Sequence, residues 1–438
     1  METSNSSIIN RIETDLLPRK FGRMGILWTW FLIAICLLGL VAYYRQLKYG
    51  LSVTAMRDYA SWGIYISNFV FFVAISLVGS LITAILRLTN ASWSTPLTRI
   101  AEIIAVSAIV FASIIIVVDM GRPDRFMYLF IYGRLQSPIL WDVIVIATYL
   151  VLGVLLLYFP LLPDFSILLK NKDKLSNWTV RIYRFLGGFW RNSEFQIKIK
   201  DKAIRILIIT IIPVALAIHT VTSWLFATTY RPGWDSTNFG AYFVSGAFLV
   251  GAGGVIVAMY VLRRAYHLEE YITLRHFDHM GKLLVMLALL YLYFNINEYL
   301  VPAYKMKKPE AEHLTGLFTG EFSFLFWSVI LLGMVLPVIV LLFPIGRRPL
   351  PMFIMGLLVV VGAWFKRFLI VAPTMLHPFL PLSNVPENYT HYIPTWEEWA
   401  ITLGSLAGSL LVVTFFVRLF PIVPIEETII KTSNEKNI

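Results

Sequence analysis

The sequence predicts an all-α, polytopic membrane protein with about ten transmembrane helices. Of its 438 residues, 58% are hydrophobic and 14% are charged, whereas about a quarter of the residues in a soluble domain are charged. The mean hydropathy is +0.72. The apolar residues come in runs of about 20, the length that crosses a bilayer as a helix. Together these observations exclude a soluble globular protein.

Ten apolar runs of this length follow one another along the chain. The first comes after a polar N-terminal segment and has full spanning length, so we interpret it as a helix of the mature protein and not as a cleaved signal peptide. The seventh has polar residues at both ends, and Lys366 and Arg367 interrupt the ninth. The predicted helices cover residues 24–44, 62–86, 100–120, 139–161, 204–227, 239–262, 276–300, 322–343, 351–371 and 397–420.

The positive charges lie mainly in alternate connecting segments. If the N-terminus is cytoplasmic, the inner segments hold about 23 of the 37 Lys and Arg residues and the outer ones about 10, as the positive-inside rule requires. The net charge of +11 therefore reflects topology, and we expect lipid contacts but no nucleic-acid partner. Both termini are then expected in the cytoplasm. The inner set includes Arg11, Arg19, Lys20, Arg23 and the run 170–202.

The second and sixth predicted helices both end in a Leu-Arg pair after a patch of small residues. This similarity indicates two related four-helix units. We expect two four-helix bundles plus two additional helices. The expected divisions are a cytoplasmic N-terminal segment (1–23), a first peripheral helix with its loop (24–61), a first bundle (62–227), a second bundle (228–371), and a last helix with a cytoplasmic tail (372–438).

The chain offers no ligand set for an intrinsic metal cofactor. The single cysteine, Cys36, excludes a disulfide framework, a cysteine-ligated iron–sulfur cluster and covalently attached c-type haem. Bis-histidine haem needs two imidazoles at one depth. His219 is predicted in the outer half of its helix, whereas His276 and His279 open the seventh helix on the inner side. We therefore expect no intrinsic haem, iron–sulfur cluster or other metal.

Two carboxylates stand at the ends of the loop between the third and fourth helices. Asp119 ends one apolar run and Asp142 begins the next. A carboxylate at such a boundary is costly unless it has a function or a firm partner. The predicted topology puts both on the outer side, and His219 lies about two turns, roughly 10 Å, from the outer end of the fifth helix. The loop above them contains Arg122, Arg125 and Arg134.

Two interpretations fit this group of side chains. A quinol that loses two electrons also loses two protons, and a carboxylate or an imidazole within hydrogen-bonding distance can accept them. In the other interpretation, Asp119 and Asp142 pair with the loop arginines as helix caps at the membrane interface. The common depth of the two acids and His219 favours the first interpretation, a proton-coupled small-molecule site.

Six further charged side chains lie within the predicted helices. Each fits a structural ion pair, such as an i, i+4 pair in the seventh helix, or neutralisation of a ninth-helix cation by Glu298. Together they also fit a series of polar steps for protons across the second helical unit. These proton-route candidates are Glu102, Asp278, Lys282, Glu298, Lys366 and Arg367.

Several segments resemble the NrfD/PsrC (polysulfide reductase NrfD) family of integral membrane subunits. The resemblance runs from about residue 60 to 420, and it is greatest to the longer, ten-helix branch with its Dsr- and Hmc-type, HybB and ActC-like members. The segments are Gly121-Arg122-Pro123, Ser137-Pro138 with Trp141-Asp142, His219 to Ala227, Arg231-Pro232-Gly233-Trp234, His279 to Lys282, Lys366 to Pro373, and Tyr392 to Trp399.

The resemblance implies a prokaryotic inner-membrane subunit that has no cofactor of its own and is not catalytic alone. It implies that quinone or quinol, of the menaquinone type, binds at the outer face. An iron–sulfur, ferredoxin-like subunit is expected to dock there. Further redox subunits, of cytochrome c, molybdopterin, hydrogenase or Dsr type, would complete a complex of anaerobic respiration or sulfur metabolism.

The resemblance also implies roles for individual residues. By motif position, Asp142 corresponds to a quinol-site acid of the family, and Asp119 stands where several relatives have histidine. We expect these two acids to handle protons and His219 to hydrogen-bond a quinone carbonyl. The family's inner-facing proton route makes Glu102 a candidate for proton uptake. The expected supporting residues are Arg122 and Arg134, which would brace the acids, and Trp141 and Trp62, which would form apolar walls.

Two alternatives stay open on the sequence alone. A secondary transporter can also have ten helices, intramembrane charges and repeated units. Such transporters pair Gly or Pro breaks between their two halves, whereas Pro213 and Pro337 are isolated here. The other alternative is a purely structural anchor whose partners carry out every redox step.

Overall fold

The computed structural model describes residues 11–13, 15–18, 22–89, 91–379 and 384–436. These residues form α-helices, helical turns and loops, with no β-strand among them. The predicted all-α polytopic fold is therefore confirmed. Most of the expected N-terminal segment lies outside the described residues, and so do Arg19 and Lys20 of the inner set of positive charges.

Ten helical units follow one another in the predicted order. In the described part of the chain, nine are long and apolar enough to cross a membrane. The remaining one, α2, starts as the shorter helix Ile64–Ser76 and continues through a wider π-helical turn, Ser80–Ile85, to Leu88. The others are α1 (Arg23–Tyr49), α3 (Thr95–Asp119), α4 (Pro138–Tyr158), α5 (Glu194–Ala227), α6 (Phe239–Tyr266), α7 (Leu274–Lys305), α8 (Ser323–Leu342), α9 (Pro349–Met375) and α10 (Trp396–Leu419).

Some helices extend past the apolar runs that predicted them. The fifth run begins at residue 204, whereas α5 begins at Glu194. The hydroxyl of Ser193 caps this polar extension by accepting a hydrogen bond from the amide of Gln196 at 3.3 Å. Hydropathy marks the part of a helix that faces hydrocarbon, so it does not report polar turns that continue beyond the bilayer.

Helices α2 to α5 pack as one group and α6 to α9 as a second. In the first group α3 packs on α2 and α4, and α5 packs on α4 and on the π-helical turn of α2. In the second, α6 packs on α7 and α9, and α8 lies against both of these. α6 joins the groups because it also contacts α2, α3 and α5. A Cβ at Gly251 of α6 would lie 3.0 Å from Cβ of Val78, so glycine permits this close approach.

Helices α1 and α10 lie side by side against the first group. Gly39 and Gly404 meet where the two helices are closest, because a Cβ on Gly39 would be 3.0 Å from Cα of Gly404. On its other side α10 packs against α3, where the hydroxyl of Ser107 donates to the carbonyl of Ser409 at 2.8 Å. This pair of helices thus covers one side of the first group.

The connecting segments gather at two opposite ends of the helices. We call the end formed by the loops after α1, α3, α5, α7 and α9 the loop face. There the guanidinium of Arg231 donates to the carbonyl of Met375 at 3.1 Å. The opposite end is the tail face, where Lys200 of α5 pairs with Glu426 at 2.7 Å. The tail face carries the short helices Leu161–Lys170, Asn177–Gly187 and Ile425–Lys436.

Candidate functional site

Asp142 is buried in the first turn of α4 and hydrogen-bonded to α5. The helix starts where Ser137, in extended conformation, precedes Pro138, a residue suited to the first turn of a helix. The Asp142 side chain is 3% exposed. Its Oδ1 accepts a hydrogen bond from the Thr222 hydroxyl at 2.6 Å, and that hydroxyl also lies 2.7 Å from the carbonyl of Ile218. The single hydroxyl hydrogen therefore serves two acceptors.

His219 lies on the same face of α5 as Thr222, because the two residues are three positions apart. Its imidazole is buried, and Nε2 has no hydrogen-bond partner. The guanidinium of Arg367 on α9 is close enough to interact electrostatically with this ring. It also lies over the ring of Phe243, 5.0 Å from the centroid. A ring nitrogen without a partner can hydrogen-bond an oxygen of a bound molecule.

Three aromatic side chains lie one helical turn from Thr222 toward the loop face. Trp62 stacks on Trp234 with the ring centroids 5.9 Å apart. Phe226, four residues after Thr222, meets both rings edge-on at 5.6 and 4.9 Å. The indole N–H of Trp234 donates to a backbone carbonyl of α9 at 2.9 Å. The rings, which we call the aromatic cluster, form an apolar surface one turn from the partner of Asp142.

Asp119, the last residue of α3, has different neighbours. Its Oδ1 is buried and has no hydrogen-bond partner. The backbone carbonyl before it accepts from the side-chain amide of Gln46 at 2.8 Å, and the Gln46 oxygen accepts from the hydroxyl of Tyr65 at 2.8 Å. Glu398 of α10 is close enough to interact electrostatically with Asp119. Among the described residues, no hydrogen bond or ion pair joins Asp119 to Asp142.

Glu398 is fully buried at the start of α10 and accepts several hydrogen bonds. Its Oε2 accepts from the backbone amides of Ala55 at 2.8 Å and Thr395 at 2.9 Å. Its Oε1 accepts from the hydroxyl of Tyr392 at 2.6 Å, and the Tyr392 oxygen accepts from the amide of Ile64 at 2.8 Å. None of these residues was among the predicted site residues. The Thr-x-x-Glu capping pattern at Thr395 was the available signal.

The loop arginines do not brace the two acids. Arg122 forms an ion pair with Asp124 at 3.1 Å within its own exposed loop, and this hydrogen bond lowers the pKa of Asp124. Arg134 is exposed, and within the described residues neither arginine forms an ion pair with Asp119 or Asp142. The expected bracing is therefore wrong for this structure. The cap interpretation needs an ion pair from a loop arginine, and among the described residues no arginine forms one with Asp119 or Asp142.

Trp141 also differs from its expected position. It is 38% exposed, and its indole N–H donates to the carbonyl of Leu135 in the preceding loop. It therefore lies on the surface of α4, whereas Trp62 lies within the aromatic cluster.

Glu102 belongs to a buried charged cluster near the tail face. The guanidinium of Arg99 is fully buried and lies 3.1 Å from Asp164 and 3.8 Å from Glu102. Asp164 also accepts a hydrogen bond from the amide of Glu426 at 3.0 Å, whereas Oε2 of Glu102 has no hydrogen-bond partner. Two carboxyl groups around one guanidinium leave a negative charge in excess, so this cluster is suited to hold a proton.

Asp278 and Lys282 form the i, i+4 ion pair that their spacing predicted. The Lys282 ammonium lies 2.7 Å from Asp278, and Arg347 approaches the same carboxylate at 2.8 Å. The Lys282 side chain is 56% exposed and that of Asp278 37%. These contacts favour the structural role for the pair.

Lys366 is buried and held by neutral groups of α7. Its ammonium donates to the hydroxyl of Tyr299 at 2.7 Å and to the side-chain oxygen of Asn295 at 3.3 Å. Glu298 accepts from the hydroxyl of Ser236 at 2.7 Å, and its Oε1 has no hydrogen-bond partner. The two charges attract across the group but form no ion pair within 4 Å. Glu298 therefore acts on Lys366 electrostatically at a distance and not through a direct ion pair.

The described residues contain no group of three or more His, Cys, Asp or Glu side chains that could hold a metal ion. The buried side chains of this site can exchange protons and form hydrogen bonds. The candidate site consists of Asp142 and Thr222, with His219 and the aromatic cluster one turn away in opposite directions along α5.

Comparison with known proteins confirms the family resemblance. The model of the family described as "Polysulphide reductase, NrfD" matches residues 52–378. The chain is 26% identical to a putative dimethyl sulfoxide reductase membrane subunit of Halobacterium salinarum, over 92% of this chain and 93% of the relative. It is 24% identical to a selenate reductase subunit of Mesobacillus selenatarsenatis, over 89% and 92%. Identity is also 24% to the menaquinone reductase integral membrane subunit of Nitratidesulfovibrio vulgaris, over 95% and 97%.

These relatives are named as subunits of reductases, two of them as membrane subunits, and each is covered along nearly its whole length. The family model spans α2 to α9, which hold Asp142, Thr222, His219 and the aromatic cluster. The chain is therefore a multi-pass integral membrane protein that belongs to the polysulphide reductase NrfD family.

Proposed function

We propose that this chain is the quinone- or quinol-binding membrane subunit of a multi-subunit respiratory oxidoreductase. The observation that carries the proposal is the buried hydrogen bond between Thr222 and Asp142, 2.6 Å long, one turn from both His219 and the aromatic cluster. Apolar rings beside a few placed polar groups suit a planar, apolar ring with an oxygen at each end. The name of one relative, menaquinone reductase, supports a menaquinone-type substrate.

Each polar group has a part in the proposed chemistry. Oxidation of a quinol breaks two O–H bonds and releases two electrons and two protons. The Asp142 carboxylate accepts a proton from one quinol oxygen, and the Thr222 hydroxyl orients that carboxylate. His219 hydrogen-bonds the other oxygen through Nε2. Asp119 receives a proton on its unpartnered oxygen. In quinone reduction the same groups supply the protons.

We place the quinone and the docked redox subunit at the first helix group. Residues 62–227 hold the quinone, and an iron–sulfur subunit that docks on the loop face exchanges electrons with it. Further subunits carry the remaining redox centres, and this chain has no haem or iron–sulfur cluster of its own. Residues 228–371 form the second bundle. The loop face lies on the outer side of a prokaryotic inner membrane, and the tail face with both termini lies in the cytoplasm.

Proton movement across the membrane would need polar groups beyond the quinone site. The excess negative charge at Arg99, Glu102 and Asp164 makes the tail-face end of the first bundle suitable for proton uptake. Asp278 and Lys282 are the weakest members of the proposed route, because they neutralise each other at the surface.

A ten-helix secondary transporter is not favoured. The chain belongs to a family whose matched relatives are named as subunits of reductases and of a menaquinol oxidoreductase. Those names support a redox complex as the setting for the buried acids.

The test uses the complex purified from native membranes in mild detergent. We expect iron–sulfur or haem-containing subunits to co-purify in fixed ratio. In the variant Asp142→Asn, quinol-coupled electron transfer should fall about 100-fold or more, since the proton acceptor is lost, while the subunits stay assembled. The matched control is Asp124→Asn, which alters the exposed pair with Arg122 and should keep activity. Full activity of Asp142→Asn, or a chain that purifies without redox subunits, would contradict the proposal.

A further inference from the structure

A cavity at the tail face lies between the start of α1, the end of α10 and the short helix Asn177–Gly187. Its volume is about 400 Å³, within the ~300–1,000 Å³ of pockets that hold small molecules. The wall from α1 includes Ile26, and the wall from α10 includes Phe415 and Arg418. Lys174 and the first turn of the short helix complete the lining. The cavity is therefore separate from the candidate quinone site.

The short helix is amphipathic and is fixed to the end of α10. On its buried side the hydroxyl of Tyr183 donates to the carbonyl of Leu419. Elsewhere on its surface Trp178 and Phe185 are 56% and 85% exposed, and Arg184 is also exposed. Exposed aromatic and basic side chains on a helix beside the ends of membrane helices are typical of the headgroup region of a bilayer. The cavity therefore lies at the depth of the phospholipid headgroups.

The wall from α10 changes from apolar to cationic toward the tail face. The rings of Phe415 and Trp178 meet edge-on with their centroids 6.3 Å apart, and Phe415 is 46% exposed. Because α10 runs toward the tail face, Arg418 lies roughly 4.5 Å closer to that face than Phe415. Along α10 the cavity thus offers a ring toward the bilayer centre and a guanidinium toward the headgroups.

The lining of the cavity is cationic. Lys174 and Arg418 are its charged members, and none of the described residues that line it is acidic. Arg418 also interacts electrostatically with Tyr266 of α6, a neutral phenol that leaves the positive charge in place. Basic pockets beside membrane helices bind anionic lipid headgroups. A free anion would use the two cations but not the exposed rings, whereas an anionic phospholipid would use both.

We propose that this cavity binds one membrane phospholipid with an anionic headgroup. Lys174 and Arg418 hold the phosphate, and an acyl chain lies along Phe415 and Ile26 toward the bilayer centre. The lipid contacts α1, α10 and the short helix together, so it links the peripheral pair of helices to the tail face. The site does not depend on quinone chemistry, because Asp142 and its partner lie at the opposite end of the helices.

Native mass spectrometry of the purified complex tests this site without turnover. The complex is placed in nanodiscs of equal parts phosphatidylcholine and phosphatidylglycerol, and the lipids that stay bound after its release are identified by mass. We expect the wild type to retain one more phosphatidylglycerol per copy of this chain than the double variant Lys174→Gln with Arg418→Gln. The affinity of that variant should be about tenfold or more lower, because each cation near anionic lipid contributes about fivefold.

Two further variants separate the cavity from surface charge. Ile26→Trp fills the cavity from the α1 side and leaves both cations in place, so it should also lose the retained lipid. The matched control is Lys198→Gln with Arg264→Gln, which removes two exposed cations of the tail face outside the cavity. This control should retain the lipid as the wild type does. If the double cavity variant does not fold, Ile26→Trp still decides.

Several results would overturn the proposal. Equal retention of phosphatidylglycerol in the wild type and in the cavity variants would mean that the lipid does not bind there. Equal retention of phosphatidylcholine by the wild type would show an apolar groove without headgroup preference. A loss in the control variant as well would show general attraction to the basic face. Displacement of the lipid by millimolar inorganic phosphate would show a site for a free anion. The proposed quinone function can fail while this site stands.

Discussion

The hydroxyl of Thr222 lies 2.6 Å from Oδ1 of Asp142 and ties the start of α4 to the loop-face half of α5. This contact fixes the direction of a buried carboxyl group that has no cation beside it among the described residues. It therefore determines which way the second oxygen of Asp142 can face.

Removal of the Thr222 hydroxyl should impair the proposed quinol chemistry. Thr222→Val preserves the shape of the side chain but leaves Asp142 without its donor, which costs about 1–3 kcal/mol. General base catalysis contributes about 10²–10⁴-fold, so a carboxylate that is no longer oriented should slow quinol oxidation by the complex about tenfold or more. Steady-state kinetics with a soluble quinol analogue measures the change.

The conservative variant controls for packing. Thr222→Ser keeps the hydroxyl and loses only a methyl group, so it should retain most of the wild-type rate. Equal losses in the valine and serine variants would mean that the hydrogen bond to Asp142 has no part in the reaction.

The fold followed from the sequence because apolar runs of spanning length have few alternatives in a bilayer. The ten helices and their order were predicted this way. The π-helical turn Ser80–Ile85 was not, because its residues remain mostly apolar and hydropathy does not report hydrogen-bond spacing. The polar start of α5 was missed for a related reason, since Glu194 lies beyond the apolar run.

The candidate site could be predicted only in part. The cost of charges at membrane boundaries pointed to Asp119, Asp142 and His219. Which groups contact one another depends on side-chain packing between helices distant in sequence. Thr222 gives no signal of its own in an apolar helix. Arg122 and Arg134 were assigned to the two acids because they lie close to them in the sequence. In the structure Arg122 pairs with Asp124, and Arg134 is exposed to solvent.

Loss of the Glu398 carboxylate should destabilise the loop face. The two oxygens of Glu398 accept hydrogen bonds from Ala55, Tyr392 and Thr395. Glu398→Gln replaces one of these oxygens with an NH₂ group, which is itself a donor and cannot accept. We expect a loss of about 1–3 kcal/mol in the free energy of unfolding. Thermal unfolding in detergent measures it. The adjacent Glu397→Gln removes one ion pair, with an Arg45 side chain that is 46% exposed, and should cost less than Glu398→Gln. Similar losses in the two variants would contradict a special role for Glu398.

Removal of the Arg99 guanidinium should destabilise the protein more than removal of a surface cation. Arg99→Met leaves Asp164 and Glu102 buried without their counter-charge, and breaking a buried ion pair costs about 3–5 kcal/mol. Lys282→Met is the control, because its pair with Asp278 is partly exposed and should cost about 1 kcal/mol or less. Addition of Asp164→Asn should restore part of the stability of Arg99→Met. If Arg99→Met is as stable as Lys282→Met, the tail-face cluster is solvated.

The burial of His313 should make the protein sensitive to acid. Because burial lowers the pKa of His313 to about 3, the unfolded chain binds a proton near the ordinary histidine pKa of about 6.5 while the folded chain does not. The unfolded state is therefore favoured as the pH falls, by about 1.4 kcal/mol per pH unit between those two values. In His313→Asn this contribution is absent. The free energy of unfolding should therefore fall more steeply in the wild type than in the variant between pH 7.5 and pH 5. Thermal unfolding at several pH values in detergent measures the difference.

The exposed His391→Asn should show the pH dependence of the wild type. If the difference in the free energy of unfolding between the wild type and His313→Asn stays constant with pH, His313 takes up its proton in the folded state.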